Sequence, residues 1–334
     1  MARTYIANLT KKGLFIMKLV GNTPMIKINY EYNGKRKYLY TKLEYYNLTG
    51  SIKDRVAMYI IQNAIKTGKL RQGTPIIEAT SGNTGIALSA IGAKMKCPVY
   101  IFMPNWASIE RIELMKMYGA NVILVSKEDG GFIKCTDLAI KMAKENGAFL
   151  ANQFENEDNY LAHYETTGKE IVDEVPEEIG SFVSGVGTGG TLMGAGIRIK
   201  EKYNNSKIIA IEPENMPIIS KGKKIANHKI EGIGDDFVPG LLDKSKIDNI
   251  YLINDDDAIN MSKKLAKELG LGVGISSGAN FMGCVMENDK NAKPATTVFA
   301  DDNKKYLSTD LFKEIEVKDE YISNKVHLLD YEVV

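Results

Sequence analysis

The chain is poor in cysteine: 334 residues carry three, at Cys97, Cys135 and Cys284. They stand far apart, without the spacing of a zinc ligand set or a disulfide framework, so neither is expected. That usage suits a reducing, cytoplasmic setting. Net charge is also lacking. Lysine and arginine number 43 against 42 aspartates and glutamates, a balance that gives no reason to invoke nucleic acid or a membrane surface. Long apolar runs are absent too. "GLFIM" near the N-terminus is too short to span a bilayer and lacks a cleavage pattern. No repeat, low-complexity tract or Pro/Ser linker interrupts the chain, so two domains, the first guess from length, must pack together rather than hang on a tether.

What is present is alternation. The β-type runs "TPIIEAT", "PVYIFMP", "NVILVS" and "SFVSGV" each precede a longer amphipathic stretch, and "KIIAIEPE" follows the last of these. This pattern predicts parallel sheets with helices on both faces. Two alternating runs around Asn33-Gly34 predict a hairpin. Ligands in open α/β sheets sit beyond the carboxyl ends of strands. Three loops, "TSGNTG", "GVGTGG" and "GISSGA", are each expected to follow a strand-like run.

Each loop has a bland and a chemical reading. "GVGTGGT" (Gly185 to Thr191) lets backbone N–H groups converge at a helix start, which suits a phosphate. It also satisfies G-x-G-x-x-G, with Glu212 about where a dinucleotide fold places its ribose acid. A nicotinamide or flavin enzyme and a plain βα turn both stay open on this stretch alone. Lys53, in "NLTGSIKDRVA", is either a solvated head or a lysine whose pKa is lowered at a partly desolvated helix start. "TSGNTG" offers donors to a carboxylate, or an N-cap through Ser81 or Asn83. "GIGDDFVP" places Asp235 and Asp236 side by side, which is a solvated loop unless something pairs with one of them.

"KLEYYNLTGSIKDR", "EATSGNTGIALS", "NQFENEDNYLAHYETTGKEI", "SGVGTGGTLMG", "IEPE" and "GVGISSGAN" occur together and in this order. The combination resembles the cysteine synthase and cystathionine β-synthase family of pyridoxal-phosphate enzymes over roughly residues 18–310. The resemblance implies an α/β fold of the tryptophan synthase β type (fold type II), with two packed open twisted sheets and helices on both faces. It implies an N-terminal arm (1–23) at a homodimer interface, a smaller domain (47–160) and a larger one (24–46 plus 161–334). It also answers the dinucleotide alternative, because the family uses its "GTGGT" loop for the cofactor phosphate.

The resemblance further implies roles. Lys53 condenses with pyridoxal 5'-phosphate and shuttles the α-proton. Asn83 bonds its phenolic oxygen. Gly187, Thr188, Gly189, Gly190 and Thr191 cradle its phosphate, and Ser276 faces the pyridine nitrogen. Thr80, Ser81 and Thr84 hold the substrate carboxylate, with Gln153 opposite and Gly232 bordering the substrate. No metal is implied. Departures fall in loops: Leu48 and Thr49, Glu157 and Asp158, and Asp302 and Asn303 replace the family's usual residues. No haem-binding extension or regulatory tail is seen, so control of the cystathionine β-synthase kind is not expected. Within "GIGDDFVP", Asp236 resembles a cystathionine β-synthase residue and Asp235 matches neither group. Neighbouring residues of an extended segment point apart, so Asp235 is expected to face the site as a general base. The expected reaction is β-elimination or β-replacement on L-cysteine through an α-aminoacrylate. It releases hydrogen sulfide, with water (giving L-serine) or a thiol as acceptor. O-acetylserine sulfhydrylase and cystathionine β-synthase-like activities are the enzyme alternatives. A non-catalytic binding subunit is the rival from another class, and the intact Lys53 and phosphate loop speak against it.

Overall fold

The structure is a computed structural model and describes residues 18–334. The apolar run Gly13–Met17, and with it most of the expected 1–23 arm, lies outside the described residues. Two compact units follow one another in an interleaved order. One comprises Asn47–Asn159 with the described residues 18–21, and the other Asn22–Tyr46 with Tyr160–Val334.

The second unit begins with strands β1 (Met25–Tyr32) and β2 (Lys35–Leu43). Asn33 and Gly34 join them, with φ of +52° and +70°. Positive φ at both central positions makes the primed turn whose twist matches a hairpin, and Tyr32 pairs with Lys35 directly across it.

The first unit holds strands β3 (Ile76–Ala79), β4 (Val99–Pro104), β5 (Asn121–Val125) and β6 (Phe149–Leu150). They form one parallel sheet in the order β5-β4-β3-β6. Its helices are α1 (Lys53–Lys66), α2 (Asn83–Met95), α3 (Ile109–Met117) and α4 (Gly131–Asn146). Ile76 and Ile77 show why β3 reads as an unbroken apolar run. Ile76 packs with Ile60 and Ile91 of α1 and α2, whereas Ile77 packs with Cys135 and Ala139 of α4. Successive strand residues face opposite sides, so a sheet covered on both faces needs both to be apolar. Gly92 lets α2 lie close: a Cβ there would sit 2.3 Å from Val99 Cγ2.

The second unit continues with β7 (Ser181–Gly185), β8 (Lys207–Pro213), β9 (Asn249–Ile253), β10 (Ala295–Phe299) and β11 (His327–Val333). The sheet order is β11-β1-β2-β10-β7-β8-β9. The β7, β8, β9 and β10 pairings are parallel, and β11 closes the edge antiparallel to β1. Its helices include α5 (Gly168–Glu174), α6 (Gly190–Lys202), α7 (Asp255–Leu269) and α8 (Ile275–Lys290). Helix α8 runs through the core, with Ala279, Phe281, Met282 and Val285 buried beside Val183 and Ile211. One expectation fails here. "GISSGA" starts α8 but follows α7, not a strand. Leu271 and Val273, the apolar residues before it, are buried in the core and make a connection too short for a strand, with one isolated bridge from Val273 to Asp302.

Among the described residues no helix is long and apolar enough to cross a membrane, and no cluster of three His, Cys, Asp or Glu could hold a metal ion.

Candidate active site

In the first unit the candidate residues gather at the carboxyl end of β3 and at the start of α1. Lys53 opens α1 and is half-buried. The loop before it is shaped by Asp54, whose carboxylate accepts from Thr49 N (2.9 Å), Thr49 Oγ1 (2.7 Å) and Ser51 N (3.3 Å). Gly50, at φ +78°, supplies the turn between them. The unusual Thr49 therefore has a structural use, because its hydroxyl helps to hold the loop that presents Lys53.

The loop after β3 leads straight into α2. Its N-cap is Gly82, with no side-chain cap bond, so the expectation that Ser81 or Asn83 caps the helix is not met. Arg111 leaves little room there: a Cβ at position 82 would lie 3.0 Å from its Cδ and Nε. Ser81 is exposed, Asn83 is half-buried and Thr84 is buried. Buried Thr80 accepts from Gly82 N at 3.2 Å. Thr84 donates its hydroxyl to Gln153 Oε1 at 2.6 Å, and Gln153 Nε2 donates to Ala79 O at 3.4 Å. The structure thus brings Thr80 and Thr84, after β3, together with Gln153, after β6.

Glu78 makes that meeting point rigid, and the motif reading missed it. It is the penultimate residue of β3, is almost fully buried, and accepts from Ala79 N (2.9 Å) and Gln153 N (3.1 Å). Asn159 Nδ2 donates to the carbonyl of Gln153 at 2.8 Å. Burial pushes the Glu78 carboxyl up to about 8, against the lowering effect of the two N–H donors. Between the ordinary glutamate range and that value, the unfolded chain has lost the proton that the folded chain keeps. Folding stability therefore falls as pH rises through this window, by at most ~1.4 kcal/mol per pH unit from this group. Glu78→Gln should flatten this dependence. Urea unfolding at pH 5 and pH 8 should show a smaller stability difference in the variant than in the wild type. An equal difference would mean that Glu78 ionises normally.

In the second unit β7 ends at Gly185, whose N–H is held by Asn280 Oδ1 at 2.7 Å. The chain then runs through Val186, Gly187, Thr188 and Gly189 into α6. Gly189 is the N-cap at φ +84°, a conformation that favours glycine. The N–H groups of a helix's first turn have no partner within the helix. Those of Gly190 and Thr191 occupy that turn, with the positive end of the helix dipole behind them. A Cβ on Gly187 would lie 2.4 Å from the carbonyl oxygen of Gly232. The loop can lie this close to the Gly232 backbone only while position 187 stays glycine. Gly232 is exposed and is thereby brought against the loop.

The "GIGDD" turn is fastened to the same loop. Gly234 N donates to Val186 O at 2.9 Å, and His228 Nε2 lies 2.8 Å from Gly234 O. Asp235 is half-buried and lines a small pocket with Gly187, Glu212 and Phe237, whereas Asp236 is exposed. The carboxylate of Glu212, the candidate ribose acid of the dinucleotide alternative, is taken up by backbone N–H groups. It is buried and accepts from Ile219 N (3.0 Å) and Ser220 N (2.8 Å), at the start of the short helix Ile218–Lys221. Ser276, in the first turn of α8, is buried.

The first unit holds a lysine at a helix start; the second holds a glycine loop at a helix start and a buried serine rather than a carboxylate, and each is of the residue type that suits pyridoxal phosphate. The sequence matches the family "Pyridoxal-phosphate dependent enzyme" over residues 16–300, and the chain belongs to that family. Its cofactor is pyridoxal phosphate. Within the family it is a cysteine synthase-like enzyme. It is 39% identical over 302 residues to a cysteine synthase of Staphylococcus aureus, covering 89% of this chain and 96% of the relative. It also matches the crystal structure of a hydrogen sulfide-producing enzyme from Fusobacterium nucleatum, with a TM-score of 0.93 and 48% identity, over 97% of this chain and 100% of the other. A mutant of that enzyme, crystallised in complex with an alpha-aminoacrylate intermediate, matches equally well.

Proposed function

We propose that this enzyme replaces the sulfur of L-cysteine. Hydrogen sulfide leaves the β-carbon and water enters, giving L-serine, with a thiol as a second acceptor. The observation that carries the reading is the placement of Asp235: a half-buried carboxylate in a pocket wall shared with Gly187, on a turn hydrogen-bonded to the glycine loop. Sulfide and thiols ionise near neutral pH and need little help as nucleophiles, whereas water needs a base. The hydrogen sulfide-producing relatives support sulfide as the leaving product.

When bound, pyridoxal phosphate supplies an electron sink next to the substrate's α-carbon. The residues of this chain do the rest. Lys53 Nζ carries the cofactor and takes the α-proton. Gly187, Thr188, Gly189, Gly190 and Thr191 hold its phosphate by N–H groups and hydroxyls. Ser276 meets the pyridine nitrogen; a hydroxyl there does not keep that nitrogen charged, which favours loss of a β-substituent over deeper carbanion chemistry. Asn83 donates to the phenolic oxygen. Thr80, Ser81 and Thr84 receive the substrate carboxylate, Gln153 closes the opposite side, and Gly232 borders the β-carbon. Asp235 takes a proton from water as its oxygen bonds to the β-carbon, and Lys53 returns the α-proton. The balance is L-cysteine plus water to L-serine plus hydrogen sulfide. The enzyme works as a homodimer in this reading, which sedimentation at micromolar concentration tests.

A second reading, O-acetylserine sulfhydrylase, is favoured by the cysteine synthase relatives. It uses the same Lys53 but gives Asp235 no task. L-cysteine supplied in ¹⁸O-water separates the two. The proposed reaction yields sulfide and L-serine in equal amounts, with the heavy oxygen in the serine hydroxyl. Sulfide accompanied by pyruvate in place of serine, or no sulfide at all, would overturn it.

A further inference from the structure

His163 has no role in the reaction as described, yet it is fully buried, and its ring bridges two hydroxyls. Nε2 lies 3.1 Å from Thr191 Oγ1, and Nδ1 lies 3.0 Å from Thr167 Oγ1. Thr191 belongs to the first turn of α6, while His163 and Thr167 are the two ends of a π-helical turn, His163–Thr167, packed against that helix. Such turns are rare and concentrate at functional sites. The approach is close because residue 194 is glycine: a Cβ there would lie 2.8 Å from His163 Cβ and 2.4 Å from Tyr160 O.

We propose that His163 is a positioning residue that aims the Thr191 hydroxyl proton at the cofactor phosphate. The inference rests on the assignment of the Gly187–Thr191 loop to that phosphate. The reasoning is one of donors and acceptors. A phosphate oxygen only accepts, so a threonine hydroxyl serving it must spend its single proton there. The lone pairs of Thr191 Oγ1 then face His163, and Nε2 must donate. In a neutral ring Nδ1 is then the acceptor, and the Thr167 hydroxyl supplies its proton. Every link runs one way: Thr167 O–H to Nδ1, Nε2–H to Thr191 Oγ1, and Thr191 O–H to phosphate. In the opposite tautomer Nε2 would take the Thr191 proton and turn the hydroxyl away from the anion. Thr191 itself is half-buried.

Thr167 is the informative position, because it touches the chain of donors at the end remote from the phosphate. Thr167→Val keeps the shape and removes the proton that fixes the tautomer. Apoprotein is titrated with pyridoxal phosphate, and the ³¹P resonance of the bound cofactor is recorded. Thr191→Val should weaken binding by ~10-fold or more, the usual scale for a lost hydrogen bond to a charged group. Thr167→Val should approach that loss and move the ³¹P resonance in the same direction. The double variant should be no weaker than Thr191→Val alone, because both substitutions break one chain. His163→Ala should match Thr191→Val if it folds, and the Thr167 variant keeps the test open if it does not. Wild-type affinity and resonance in Thr167→Val, or losses that multiply in the double variant, would overturn the proposal and leave His163 a packed core residue. Unchanged binding in Thr191→Val would overturn the loop assignment itself, and the proposal with it.

Discussion

Lys53→Ala is expected to lower sulfide release from L-cysteine by ~10⁴-fold or more. One positioned proton-transfer group is typically worth ~10²–10⁴-fold, and Lys53 is also assigned the covalent link to the cofactor. Lys53→Arg should be no better, since a guanidinium keeps its proton at working pH. A small primary amine in the buffer should restore part of the activity of Lys53→Ala, where the side chain's space is vacated, and none in Lys53→Arg. The wild-type protein should be yellow, and borohydride reduction should fix the cofactor to Lys53. Near-wild-type sulfide release in Lys53→Ala, or label on another lysine, would remove Lys53 from its assigned role.

Asp235→Asn should reduce serine formation by ~10²–10⁴-fold, the range for loss of a positioned general base. Size is kept and the charge is lost, so the loop itself should survive. Removal of the α-proton is assigned to Lys53 in this proposal, so sulfide should still leave in a first turnover. Transfer to an added thiol should suffer far less than transfer to water, because thiols ionise closer to neutral pH. Asp236→Asn should leave the ratio of serine to thioether unchanged, since Asp236 is exposed and Asp235 lines the pocket. Serine, thioether and sulfide are measured together for each variant. Unchanged serine formation in Asp235→Asn would return the two aspartates to a solvated loop. Equal losses in both would remove the distinction between them.

Much of the fold was legible because its determinants are local. β3, β4, β5 and β7 are short apolar runs followed by helical periodicity, β8 is a further apolar run after the last of those helices, and Asn33-Gly34 has the turn chemistry that one hairpin geometry requires. β11 was not legible. "HLLDYEV" is mostly exposed and has no buried alternating face. It is a strand because its backbone pairs with β1, as in Ile26 with Val333, across nearly the whole chain. The candidate site divides in the same way. Lys53 and the glycine loop are adjacent in sequence to the helices that present them. Glu78 and His163 have partners 75 and 28 residues away, Gln153 and Thr191, as well as local ones, and the distant contact is not readable from the neighbouring sequence. The capping expectation for Ser81 and Asn83 failed for a related reason. Composition allows either to cap, but the register in which α2 starts beside Arg111 is a packing result.

The most direct test of the central claim compares donors on the purified holoenzyme. L-cysteine alone is set against O-acetylserine with sulfide, and kcat/KM is determined for each. The account predicts that L-cysteine is the better donor and that sulfide and L-serine appear together from it. Efficient cysteine formation from O-acetylserine, with no sulfide released from L-cysteine, would contradict it.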